Sequence, residues 1–294
     1  MFDRLLASMS TRQHCEAAQS ASCDARTTKA RTRMLRTVRF EISGSIGELI
    51  LNRPNVGNAV SPDLVEDLAT TVEEATSSGA KVILIWAEGS DFCFGGDIRH
   101  LAASGELLSQ ELGSMAERTH AALGSLRHLE IPIVCAAQGH IVGGGLGIAM
   151  CSDILLLSDS ARLSTGYSRL GLSCDAGVSH QLTKAIGERR TLSWLLRSQF
   201  VSAQKALALG IAEEIFPEKE LLPQARRVAR EVSSVDTALV QALRMLVAKS
   251  SQNSYEEHLR LEAETIVKLA EADDVAERLQ AHLAAAKRNR GKRD

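Results

Sequence analysis

The sequence predicts an α/β protein with a mostly parallel sheet and a helical C-terminal tail. Three observations lead there. Lys81–Ala87 (KVILIWA) and Ile131–Ala137 (IPIVCAA) are continuous apolar runs, the pattern of strands buried on both faces. An amphipathic stretch around Met115–Leu129 separates them, so strands alternate with helices. From Gln224 onward the periodicity is helical, with apolar stripes.

Taken in order, residues 1–36 are rich in Arg, Ser, Thr and Ala and lack a sustained apolar period, so a disordered extension is expected. A targeting peptide fits poorly, because Asp3, Glu16 and Asp24 break the acid-poor pattern. Val38–Ile42 and Glu48–Asn52 alternate polar and apolar as a hairpin does, joined by Ser-Gly-Ser-Ile-Gly. Arg53-Pro54 ends the second strand. Ser61-Pro62 starts a helix to about Ser77, with proline at the first position, where its missing N–H costs nothing. A further buried strand is Asp153–Leu157. The tail reads as helices over Ala225–Val232, Thr237–Lys249, Tyr255–Glu271 and Asp274–Lys287. The expected organisation is a core over 37–223 and a helical oligomerisation region over 224–294.

Composition narrows the function classes. At 294 residues and 45% apolar content the chain can bury a full core. A formal charge of −2 creates no global field for nucleic acid or anionic lipid. No apolar run approaches the roughly 20 residues a membrane helix needs. The six cysteines fall in no CxxC or Cys/His ligand spacing and three of them lie inside apolar runs, which suits reduced thiols in a soluble, cytoplasmic protein. The histidines form no metal spacing either, so no metal is expected.

The chemistry concentrates in two glycine-bearing loops, each after a buried strand and before a helix. One is Phe92–Asp97 (FCFGGD); the other centres on Gly143–Gly145. Bare backbone at a helix start can cradle a phosphate or a developing oxyanion. The phosphate patterns GxxxxGK[ST] and GxGxxG with a following acid are absent. The oxyanion reading remains: two loops could converge on one carbonyl oxygen.

Five segments in order then carry a resemblance: NRPNVGNAVS (52–61), SDFCFGGDI (90–98), PIVCAAQGHIVGGGLGIAMCSDI (132–154), ARLSTGYSRLGLSCDAGVSHQL (161–182) and SAQKALALGIAEEIFP (202–217). Across about residues 37–290 the chain resembles the crotonase superfamily, the enoyl-CoA hydratase/isomerase family. That resemblance implies a spiral of ββα turns and a C-terminal helical region that trimerises, giving a homotrimer or a dimer of trimers. It also implies a coenzyme A thioester as substrate, with no permanently bound cofactor. Its carbonyl would sit between the N–H groups of Gly96 and Gly144.

The two glutamates of the family's hydratases would fall at Gly147 and Tyr167, so both acids are missing and ordinary two-glutamate hydration is disfavoured. Asp175 is the acid the resemblance places near the acyl group, as in double-bond or ring isomerases of the phenylacetyl-CoA type. The residue-level alternative is that Asp175 caps the following helix. A resemblance to 4-chlorobenzoyl-CoA dehalogenase, with Asp175 as nucleophile and His120 activating water, is weakened by Tyr167 standing where that enzyme has Trp. His120 can equally be an amphipathic-helix residue, and Tyr167 can line the pocket or orient Asp175. For the coenzyme A moiety the resemblance points to Arg53, Cys93, Gly95 and Arg99, although both arginines can be ordinary surface charges. A binding protein that kept the fold and lost the chemistry is the rival reading.

Overall fold

The computed structural model describes residues 36–290, so the expected N-terminal extension lies almost wholly outside it. Strands β1 (Val38–Ser43) and β2 (Ile46–Leu51) form the predicted hairpin, and they pair through Ser43↔Ile46. The turn is tighter than expected: only Gly44 and Ser45 lie between them, with Gly44 at φ 63°. Ile46 and Gly47 therefore belong to the strand rather than the link. Strands β3 (Val82–Ala87), β4 (Ile133–Ala137), β6 (Ile154–Ser158) and β9 (Glu214–Phe216) complete a six-stranded sheet in the order β1-β2-β3-β4-β6-β9, parallel except for β1.

A second, three-stranded sheet was not legible in the sequence. Its strands β5 (His140–Val142), β7 (Arg162–Ser164) and β8 (Val201–Ser202) are too short for a periodicity signal. Isolated bridges Cys93↔Ile141 and Val60↔Gly96 extend this layer towards the N-terminus. The chain thus visits the large sheet, then the small layer, then a helix. Helices α1 (Pro62–Ser77), α2 (Ile98–Ala103), α4 (Gly144–Met150) and α5 (Val178–Ile186) each follow such a visit. This is the ββα spiral that the resemblance implied. Between α2 and β4 runs α3 (Leu108–Arg127), two turns longer at its start than the sequence pattern indicated.

Side-chain alternation builds two cores. Ile83 and Ile85 of β3 and Cys135 of β4 face the main core with α1 and α3. Val82, Leu84, Val134 and Ala136 point the other way, where α8 (Glu218–Val232) covers them with Leu221, Ala225, Val228 and Ala229. Between α5 and α8 the chain forms α6 (Glu188–Arg197) and α7 (Ala203–Ala208), whose Trp194, Ala203 and Ala206 join the main core. Helix α8 begins before the expected boundary at 224 and runs through Pro223, so the core extends to Val232. It is latched by Arg226, whose guanidinium donates twice at 2.8 Å to the buried Glu48; Trp86 Nε1 also donates to that carboxylate. Beyond it α9 (Thr237–Lys249), α10 (Tyr255–Ala270) and α11 (Asp273–Arg290) bury little within the chain. Arg244 of α9 holds this tail to the core through Asp153 and the Leu129 carbonyl.

Candidate active site

Two glycine loops meet because the small layer brings the ends of the spiral turns together. Gly95 has φ 82°, and a Cβ there would stand 2.8 Å from the Val142 carbonyl oxygen, so only glycine allows the two loops to touch. Gly96 follows it, just before Asp97 caps α2 by accepting the His100 N–H. The Gly96 N–H has no backbone acceptor among the described residues. Gly144 opens α4, where the first N–H groups have no partner inside the helix.

Both loops line a cavity of about 480 Å³. Gly95, Gly96, Gly144, Tyr167 and Asp175 share its wall, while Leu101, Leu112 and Met115 supply an apolar side from α2 and α3. Among the described residues, Asp175 and Arg169 are the only charged ones lining it. Arg169 is tied to the wall: it donates to the Ser198 carbonyl at 3.1 Å and lies over the Phe200 ring. Asp175 is therefore the single carboxylate that these residues bring to the cavity.

Asp175 does not cap the next helix. The N-cap of α5 is Gly177, without a side-chain cap, and the capping alternative is set aside. Instead Asp175 Oδ1 accepts the Tyr167 hydroxyl at 2.6 Å. Burial, followed by the charge of Asp175, pushes the Tyr167 phenol far above its usual range, so Tyr167 stays a donor. The turn after Asp175 is unusual: Ala176, which is not glycine, has φ 51°. A Cβ on Gly147 would lie 2.4 Å from the Ala176 carbonyl oxygen, so this turn fills the space that any side chain at position 147 would need.

Other expected residues lie elsewhere. His120 does not line the cavity; its Nε2 accepts the Ala176 N–H at 3.0 Å on the far side of the turn. Cys93 is fully buried beneath its loop, and burial pushes its thiol up to about 12, so its side chain is an inert packing group. Arg53 points inward, donating to the Ala59 carbonyl and, at 3.2 Å, to Asp97. It braces the first glycine loop. Arg99 is exposed on α2, outside the cavity lining.

The sequence reading missed Phe94 and Phe200, which line the cavity and flank the His140 ring; Phe94 stacks on it with centroids 4.9 Å apart. His140 is fixed by Asp91, which accepts both its backbone N–H and its Nδ1. An aromatic beside the double glycine of SDFCFGGDI was the available signal for Phe94. Phe200 had none, since tertiary packing alone brings it there. Among the described residues there is no His, Cys, Asp and Glu cluster that could hold a metal, and no helix is long and apolar enough to cross a membrane.

A ββα spiral whose glycine loops frame an apolar cavity with one carboxylate defines a class of acyl-thioester proteins. Residues 41–290 match the enoyl-CoA hydratase/isomerase family, and the chain belongs to it. It is 27% identical over 245 residues to the trans-2-decenoyl-(acyl-carrier-protein) isomerase of Streptococcus mutans, spanning 83% of this chain and 93% of that protein. It is 25% identical over 245 residues to 4-chlorobenzoyl coenzyme A dehalogenase-2 of an Arthrobacter species, spanning 82% and 88%. The crystal structure of an enoyl-CoA hydratase from Polaromonas sp. JS666 superposes with a TM-score of 0.79 at 23% identity, covering 84% of this chain and 97% of that one. The last likeness shows the crotonase fold.

Proposed function

We propose that this chain is an enoyl-CoA isomerase that moves a double bond through an enolate. The observation that carries the reading is that, among the described residues, Asp175 is the one carboxylate lining a cavity walled by two glycine loops. A thioester carbonyl between the Gly96 and Gly144 N–H groups would gain negative charge as Asp175 takes a proton from the carbon beside it. Two such donors favour the enolate, each worth about 3 to 4 kcal/mol. The protonated Asp175 then returns the proton two carbons further along, and the double bond shifts into conjugation. One acid in two protonation states suffices, and no water is consumed.

The hydratase alternative needs two acids, and their positions hold Gly147 and Tyr167. The dehalogenase alternative needs Asp175 as nucleophile with a histidine facing the acyl group, and His120 lies on the other side of the turn. A homotrimer or dimer of trimers in the cytoplasm is part of the proposal, supported by the exposed Leu243, Val247, Ile266 and Val267 of α9 and α10.

The test is to incubate the protein with 3-enoyl-CoA and follow the rise of conjugated 2-enoyl-CoA absorbance. Asp175→Asn should lower kcat by about 10² to 10⁴, the usual share of acid-base catalysis, while acyl-CoA binding persists. Binding of several acyl classes without turnover would instead favour a non-catalytic member. Chloride release from 4-chlorobenzoyl-CoA would favour the nucleophilic role.

A further inference from the structure

We propose that His120 is a positioning residue for Asp175, acting through the backbone of the turn between them and moving no proton. This rests on the isomerase reading above for what Asp175 does. It rests on geometry for how Asp175 is held.

The carboxylate sits at the start of a turn the chain does not adopt cheaply. Ala176 has φ 51° and Gly177 φ 73°, two left-handed residues in succession, and a non-glycine residue there is strained. Such a conformation persists only where the surroundings over-determine it. Three contacts do so here. Val178 N–H donates to the Asp175 carbonyl at 3.0 Å. Ala176 is packed against the bare backbone of Gly147. The third contact is the Ala176 N–H, which belongs to a buried residue and is satisfied by His120 Nε2 at 3.0 Å.

The chemistry of that bond fixes the role of the ring. A backbone amide can only donate, so Nε2 carries no proton and its lone pair is already used. Nor does the ring see the substrate. Met115, Ala116 and Thr119 of α3 line the catalytic cavity, whereas His120 lines a separate one of about 390 Å³ with Arg127, Cys151 and Gln181. Ala176 belongs to both walls. Helix α3 thus reaches the reacting carbons indirectly, from histidine to amide to the neighbouring carboxylate. On the cavity side Tyr167 grips the same carboxylate, so Asp175 is clamped from two directions.

The experiment compares His120→Gln, whose amide oxygen can replace Nε2 as acceptor, with His120→Leu, which has none. Two readouts are taken on the full-length protein: 3-enoyl-CoA isomerisation, and NMR-detected hydrogen exchange of the Ala176 amide. The leucine variant should lose about 100-fold in kcat, the scale of a misplacement near 1 Å. Its KM should change little, and its Ala176 amide should exchange quickly. The glutamine variant should recover most of kcat and protect the amide. Because His120 is solvent-exposed, both variants should fold; His120→Ala replaces the leucine variant if it does not.

Unchanged kcat and protection in the leucine variant would overturn the proposal. So would a glutamine variant that protects the amide yet stays as inactive as leucine, since the imidazole would then be needed for its proton. Should the wild type isomerise no enoyl-CoA at all, the isomerase reading fails on its own. The positioning role is then decided by exchange together with the carboxyl ¹³C signal of Asp175. It stands if both change in the leucine variant and return in the glutamine variant, and falls otherwise.

Discussion

The Tyr167 hydroxyl donates to Asp175 Oδ1 at 2.6 Å, across the wall of the cavity that both residues line. A neutral donor bonded to one carboxylate oxygen restricts the rotamers of that side chain and leaves the other oxygen for a substrate proton. Hydrogen bonds to charged groups are worth about 1.5 to 3 kcal/mol.

Tyr167→Phe should therefore lower kcat by roughly 10- to 100-fold with little change in acyl-CoA affinity, since the ring still lines the cavity. Steady-state kinetics and a binding titration separate the two effects. Because burial and then Asp175 raise the phenol's pKa, Tyr167 remains protonated and adds no alkaline limb to the pH–rate profile up to about pH 10. An unchanged kcat would reduce Tyr167 to a wall residue.

Gly147→Ala places a Cβ 2.4 Å from the Ala176 carbonyl oxygen, and the turn carrying Asp175 must move. Overpacking of this kind costs about 1 to 3 kcal/mol, which thermal denaturation will read as a lower Tm. Isomerisation should fall with it. Gly147→Glu should gain no hydration of 2-enoyl-CoA, because the space for the acid is already filled.

The Asp91–His140 pair predicts a stability change at acid pH. Burial works to raise the Asp91 carboxyl, but the His140 N–H and ring, with Ser90, hold it below its ordinary 3.8. A carboxyl depressed in the folded state contributes stability that is present above 3.8 and lost as pH falls through the lower folded value. The denaturant midpoint gap between the wild type and Asp91→Asn should close as pH drops below about 3.8. A gap independent of pH would show that the carboxylate's charge is irrelevant.

At the latch, Arg226→Ala leaves the Glu48 carboxylate buried with Trp86 as its remaining side-chain donor among the described residues. Removing one partner of a buried pair costs about 3 to 5 kcal/mol; with Arg226 itself 41% exposed, about 2 kcal/mol is expected after solvent screening. Calorimetry on the purified protein checks this. Trp86 will report it too, because its indole loses the guanidinium that now lies 5.8 Å from the ring centroid.

The sequence by itself determined the features that local pattern dictates. Continuous apolar runs declared the central strands, Ser61-Pro62 declared the start of α1, and the two glycine loops and Asp175 were legible because bare backbone and an isolated acid stand out in a motif. Only the tertiary structure decided how those parts are used. Strands of two or three residues carry no period, so the small sheet that joins the glycine loops could not be read. Whether Asp175 capped a helix or faced a cavity depended on Tyr167 and on a left-handed Ala176. That His120 meets the Ala176 N–H, and Arg53 the Ala59 carbonyl and Asp97, depended on which way each side chain points. Spacing along a chain records local conformation, whereas direction and partnership arise only when distant segments pack, and that step sorted the site from its supports.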